Sequence, residues 1–142
     1  MLNKREKQQI NAISRNELHA LLGTGRVLQL TLKKEWFDMI ASGRKKEEYR
    51  EVKDYWMIRL AGVRGCGTSY NFTILCNRNN KCKEFDYVYF KNGYGKNAPD
   101  ILLECKGITV DQGKRAWGAP NYRTFVIKMG SIIFNRAWEA CA

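Results

Sequence analysis

Glycines divide this chain into short segments, and their spacing limits the fold more than any other feature of the sequence. The 142 residues contain 12 glycines and 2 prolines. Glycine-containing breaks at 23–25, 43, 62–67 and 93–95 each follow a short, partly apolar run. The segments between these breaks have the length of single strands or short helices. We therefore expect an α+β fold built from many short elements.

The apolar pattern within these segments predicts six or seven short strands and two or three helices. The predicted strands are 27–32, 45–51, 71–76, 85–90, 101–110, 122–129 and 131–134, the last two separated by Gly130. The predicted helices are 1–22, 33–42 and 53–63. Because strands and helices do not alternate regularly, a small mixed or antiparallel, barrel-like sheet is favoured over a doubly wound fold.

The length of the chain indicates one domain with its own core. Residues 1–25 form an appended N-terminal helix or a flexible tail, and residues 26–142 form the domain. The chain has no apolar run that could span a membrane and no secretory leader pattern near Met1. We therefore expect a cytoplasmic protein that makes no contact with a membrane.

The net charge of +11, from 25 basic and 14 acidic residues, favours an anionic partner. Nucleic acid is the most common such partner, because lysine and arginine neutralise phosphates and release counterions. A charge selected for solubility alone is the alternative.

The five cysteines are an odd number and include no closely spaced pair. They are Cys66, Cys76, Cys82, Cys105 and Cys141. Without a nearby histidine they do not make up a zinc site. We expect free thiols in a reducing compartment, no bound metal and no cofactor.

The segment 42–50 carries the strongest functional signal. In an extended strand Glu48 and Arg50 point to the same face, and Lys45 can join them if the chain bends at Gly43. A lysine, a carboxylate and an arginine would then converge. A solvated salt-bridge face is the alternative interpretation.

The spacing of Gly43, Lys45, Glu48 and Arg50 resembles the GxKxxExR pattern of the ASCH family, which is related to the PUA-like RNA-binding fold. The resemblance extends over 27–134 and includes Leu30-Thr31-Leu32, Trp117-Gly118-Ala119 and the run 126–130. It implies a small PUA-like β-barrel with helices at its ends and a ligand cleft lined by the motif residues.

The resemblance also implies two types of hydrolase, because some relatives are amidohydrolases that act on acylated cytidine and others are ribonucleases. In the amidohydrolase type the residue matching Lys45 is catalytic, together with a threonine and a later glutamate. Here Glu48 stands at the threonine position. Glu104 is the later glutamate that could supply the carboxylate, although a surface location is the alternative.

The loop 91–99 is a second candidate wall of the cleft. Its glycines let backbone amides approach a phosphate, Lys96 adds charge, and Tyr94 offers a ring for base stacking. With Arg44, Lys45, Tyr49 and Arg50, these two residues complete the predicted nucleic-acid-binding set. A plain hairpin connection is the alternative for the loop.

Three functions are consistent with this sequence. The first is an RNA-binding or nucleotide-binding domain, and the second is a hydrolase with Lys45, Glu48 and Glu104 at the reaction centre. The only histidine, His19, lies in the N-terminal helix, so mechanisms that need a catalytic histidine have little support. The third is an adaptor that binds a protein partner through its basic N-terminal helix.

Overall fold

The computed structural model describes residues 15–137, so the predicted helix over 1–22 lies partly outside the described residues. The helices are α1 (Arg15–Leu22), α2 (Lys34–Ala41), α3 (Asp54–Trp56) and α4 (Thr68–Asn77). A π-helical turn, Met57–Ala61, continues α3, and a 3₁₀ turn covers Arg115–Trp117. The strands are β1 (Val27–Thr31), β2 (Glu47–Arg50), β3 (Tyr87–Lys91), β4 (Asp100–Gln112) and β5 (Arg123–Asn135).

The strands form one mixed sheet in the order β1-β3-β4-β5-β2. β1 runs parallel to β3, with Val27 opposite Tyr87. β3 and β4 are antiparallel, as are β2 and β5, and Glu48 lies opposite Ile127. The α+β class and the mixed sheet are confirmed, whereas closure of the sheet into a PUA-like barrel stays a prediction.

The predicted strand over 71–76 is wrong, because this segment belongs to α4. Its aromatic and β-branched residues resemble a strand, but the buried positions are Asn71 and Leu75, which are four residues apart as on one face of a helix. The buried amide of Asn71 accepts a hydrogen bond from the backbone of Cys66 and donates to Val52 and Asp54. These bonds hold the first turn of α4 against the preceding chain.

The predicted break at Gly130 is also wrong, since β5 runs without interruption from Arg123 to Asn135. Gly130 is not among the glycines with positive φ, so its backbone stays extended and needs no turn. The described residues contain five strands rather than six or seven. The loss of the strand at 71–76 and the merging of the last two account for the difference.

Contacts within the chain group the described residues into two compact units. The first unit comprises residues 15–46, 85–105 and 129–137, and the second comprises Glu47–Glu84 and Lys106–Lys128. In the first unit, buried residues Leu18, Val27, Tyr89, Leu102 and Phe134 form a core cluster. The described part of the N-terminal segment is therefore packed against the sheet through Leu18. In the second unit, Tyr49, Ala119 and Val126 form a cluster against which Trp117 packs.

Candidate nucleic-acid interface

The GxKxxExR segment begins where α2 ends. Gly43 has a φ of +83°, a conformation that glycine adopts without strain, and its N–H donates to the carbonyl of Ile40. The N–H of Lys45 then donates to the carbonyl of Met39. This turn places Lys45 just before β2, and the strand carries Glu48 and Arg50.

Lys45 is withdrawn from water, with only 2% of its surface exposed. Its Nζ lies 5.3 Å from the centroid of the Trp36 ring on α2, within the range of a cation–π contact. The side chain lines a cavity of about 30 Å³ together with Gly43, Leu103 and Met129. That volume holds about one water molecule, so the cavity as it stands does not admit a nucleoside.

Glu48 and Arg50 form an ion pair along one face of β2. Arg50 Nη1 lies 2.5 Å from Glu48 Oε2 and also donates to the carbonyl of Tyr49 at 2.8 Å. Both side chains are largely buried, with 7% of Glu48 and 17% of Arg50 exposed. Charge-assisted bonds of this kind fix the direction of the guanidinium.

The Arg50 guanidinium is the first of a series of side chains that stack on one another, and the others lie on α3 and the turn after it. Its Cζ lies 5.1 Å from the centroid of the Trp56 ring, and Arg59 Cζ lies at the same distance from that ring. Arg59 also lies 5.6 Å from the Tyr55 ring and donates to the Tyr55 hydroxyl at 3.2 Å. We call Arg50, Trp56, Arg59 and Tyr55 the arginine–aromatic surface.

The sequence predicts a helix over 53–63, but none of Tyr55, Trp56 and Arg59 was predicted to be a site residue. The structure leaves Trp56 partly exposed and Tyr55 61% exposed. The signal that could have revealed them is the spacing of Tyr55 and Arg59, which are four residues apart and so meet on one helix face. Tyr55 comes five residues after Arg50, the last residue of the charged motif.

Tyr49 is a core residue of the second unit. Its ring is buried and packs closely against Gly113. A Cβ built on that glycine would lie only 2.3 Å from the ring, so no larger residue fits there without a shift. The hydroxyl donates to Glu47 and accepts the backbone N–H of Lys114. Burial raises the pKa of Tyr49 above its ordinary value of about 10, so the phenol stays protonated well into the alkaline range. A ring packed in this way offers no face on which a base could stack.

Glu104 is exposed on β4, opposite Tyr87 on β3. Its neighbour Leu103 lines the small cavity beside Lys45. Successive residues of a strand point to opposite faces, so the carboxylate of Glu104 is directed away from that cavity. The structure does not bring Glu104 and Lys45 together.

The remaining residues of the predicted set are exposed. Arg44 follows the turn at Gly43, and Tyr94 is 90% exposed in the loop between β3 and β4. The N–H of Asn92 donates to the carbonyl of Pro99 and closes this loop at its base. Lys96 lines a separate cavity of about 270 Å³ in the first unit.

The four cysteines that the structure describes, Cys66, Cys76, Cys82 and Cys105, are free thiols. Within residues 15–137 no group of three or more histidine, cysteine, aspartate or glutamate side chains is placed to hold a metal ion. None of the helices in this range has both the length and the apolar character needed to cross a bilayer.

In comparisons with protein-family models, curated proteins and solved structures, nothing matches this chain.

Proposed function

We propose that this protein binds single-stranded RNA or nucleotides through the arginine–aromatic surface. The observation that carries this proposal is the continuous series of side chains that begins at the buried Glu48–Arg50 pair and ends at exposed Tyr55. Arg50 is fixed by its carboxylate partner, and Trp56 lies next to both arginines. The charged motif is thereby linked to a surface that solvent reaches.

The chemistry of this surface suits single-stranded nucleic acid. Aromatic rings stack on bases of any type, and a guanidinium binds phosphate or stacks in the same manner. The net charge of +11 favours the same class of ligand over neutral or cationic partners. The base is expected to contact Tyr55, and the phosphate is expected to contact Arg59.

The resemblance of the GxKxxExR segment to the ASCH family supports this proposal, because in that family the segment lines the ligand cleft. Our proposal includes a closed PUA-like barrel and a location in the cytoplasm. It extends the ligand surface beyond the motif, from Arg50 to α3 and the turn that follows.

Fluorescence anisotropy with a short labelled single-stranded RNA tests the proposal. Arg59→Ala should weaken binding at least about fivefold. It should also make the negative slope of log K against log salt shallower by about 0.7, as expected for one lost phosphate contact. The matched control is Arg78→Ala, which removes the same charge from an exposed position of the same unit. Equal effects of the two variants would contradict the proposal.

A second candidate function, hydrolysis of an acylated cytidine or of RNA, is favoured by the burial of Lys45. A lysine removed from water is the form of amine that enzymes use as a base or nucleophile. This is the weaker proposal, because the cavity beside Lys45 is small and the Glu104 side chain is directed away from it. Substrate entry would require the cavity to open.

Turnover of acylated cytidine and of RNA distinguishes the two functions. If Lys45 is catalytic, Lys45→Met should lower turnover about a hundredfold or more, because general acid–base groups contribute at least that much. Lys33→Ala, an exposed lysine in the first unit, is the control. Thermal melting checks that both variants are folded, and unchanged turnover in folded Lys45→Met excludes the lysine mechanism.

A further inference from the structure

A second cavity, which we call the α1 pocket, lies under α1 in the first unit and has a volume of about 270 Å³. Leu18 and Leu22 of α1 form an apolar wall, and His19 lies between them in the sequence. Tyr89 and Asp100 line the pocket from β3 and β4. The volume is close to the lower end of the range for small-molecule sites.

Asp100 is neutralised inside the pocket by its neighbours. Its carboxylate is buried and accepts a hydrogen bond from the Tyr89 hydroxyl at 2.6 Å. Arg136 binds both carboxylate oxygens, through Nε at 2.6 Å and through Nη2. The Arg136 guanidinium also lies 4.5 Å from the Phe134 ring. Asp100 and Arg136 therefore form a rigid group whose charges cancel.

Two lysines then give the pocket a positive charge. Lys91 ends β3 directly opposite Asp100, and Lys96 follows in the loop. Both line the pocket, and no salt bridge to either is found within residues 15–137. Because Arg136 already compensates Asp100, the two ammonium groups remain as an excess of about two charges. A phosphate monoester carries about −1.5 to −2 at neutral pH and matches that excess.

We propose that the α1 pocket binds a phosphate monoester, with the phosphate on Lys91 and Lys96 and the organic part against Leu18 and Leu22. A carboxylate would neutralise only one of the two ammonium groups. Both a small free metabolite and the end of an RNA strand can carry a phosphate monoester. The pocket shares no residue with the arginine–aromatic surface, so this proposal is independent of the RNA-binding one.

Isothermal titration of the full chain with phenyl phosphate tests the proposal, because this probe joins a monoester to an apolar ring of suitable size. We expect binding of phenyl phosphate at least tenfold tighter than that of benzoate. Lys91→Ala and Lys96→Ala should each weaken phenyl phosphate binding at least fivefold. Lys106→Ala, which removes an exposed lysine from the second unit, should change it less than twofold.

A second arm of the experiment distinguishes the two sources of the phosphate. If the ligand is an RNA end, a 5′-phosphorylated oligonucleotide binds more tightly than its 5′-hydroxyl form, and Lys96→Ala removes the difference. If the ligand is a free metabolite, phenyl phosphate binds and the two oligonucleotides bind equally. Absence of phenyl phosphate binding, equal affinity for benzoate, or equal effects of Lys96→Ala and Lys106→Ala would overturn the proposal. The test reads the effect of Lys91→Ala and Lys96→Ala on phenyl phosphate binding, and neither lysine belongs to the arginine–aromatic surface, so a failure of RNA binding at that surface does not affect this outcome.

Discussion

Arg50 and Glu48 are ion-paired along one face of β2, with 2.5 Å between Arg50 Nη1 and Glu48 Oε2. Two charges that are both largely buried cost free energy to remove from water, and their attraction offsets this cost only while both are present. The pair therefore holds the Arg50 guanidinium in place beside the Trp56 ring. This positioning connects the motif segment to the rest of the arginine–aromatic surface, whose most exposed member is Tyr55.

Replacing Glu48 by glutamine should destabilise the protein by about 3 kcal/mol, because the buried Arg50 charge then loses its counter-charge. Chemical denaturation measures the change in the free energy of unfolding. The control is Lys53→Ala, which breaks the exposed pair of Lys53 with Glu51 and should cost less than about 1 kcal/mol. Equal stabilities of the two variants would show that the Glu48–Arg50 pair is solvated like a surface pair.

Gly113→Ala should destabilise the protein by about 1–3 kcal/mol through overpacking. A Cβ at this position would lie 2.3 Å from the Tyr49 ring and 2.7 Å from the Ala119 side chain. Gly95→Ala is the matched control, because a Cβ there meets nothing within 4 Å and the backbone of Gly95 is not in the left-handed region. Thermal melting of both variants provides the comparison. A Gly113 variant as stable as the Gly95 variant would disprove the close packing of Tyr49.

Asp54 should make stability depend on pH in the acidic range. Its carboxylate accepts hydrogen bonds from the Asn71 amide at 3.0 Å and from the backbone N–H of Gly67 at 2.9 Å. These bonds lower the pKa of Asp54 in the folded state, the Asn71 contribution being the larger. The stabilisation is complete above the ordinary aspartate pKa of about 3.9 and is lost as the pH falls through the lower, folded value.

Asp54→Asn keeps an acceptor at this position but cannot titrate. The free energy of unfolding of the wild type should therefore decrease more steeply than that of the variant between about pH 5 and about pH 2. This range includes the ordinary aspartate pKa of about 3.9. Urea denaturation over this range measures both slopes. Parallel curves would mean that the folded state does not favour the charged form of Asp54.

Cys82 should react with iodoacetamide much more slowly than Cys66 and Cys76. Burial raises the pKa of the Cys82 thiol to about 11, and only the thiolate is nucleophilic. Cys66 and Cys76 are exposed and accessible to the reagent. Mass spectrometry of peptides from protein labelled at about pH 8 gives the three rates under conditions where an ordinary thiol is partly ionised. Labelling of Cys82 at the rate of the exposed cysteines would contradict its burial.

Local patterns were sufficient to predict the elements in which propensity and packing agree. α2 and β1 lie within one or two residues of their predicted bounds, because Phe37 and Ile40 repeat with helical spacing and Gly43 ends the helix. α4 was missed because β-branched residues such as Thr73 and Ile74 favour strands in isolation. The tertiary hydrogen bonds of Asn71 decide its conformation, and no local pattern reveals them.

The candidate site was only partly predictable for a similar reason. Alternation along β2 correctly puts Glu48 and Arg50 on one face, since that depends only on strand geometry. The burial of Tyr49 depends on Gly113 and Ala119, which are far away in the sequence. Long-range packing of this kind has no signature in the residues of the motif itself.

The most direct test of RNA binding at the arginine–aromatic surface is a nuclear magnetic resonance titration of the labelled protein with short single-stranded RNA. We expect the indole N–H signal of Trp56 to shift progressively, together with the backbone signals of Tyr55 and Arg59. The signal of Trp117, which packs on the core of the second unit, should move little. Assignment of the indole signals follows from Trp56→Phe. No shift at Trp56 at saturating RNA, or shifts confined to other surfaces, would contradict the account.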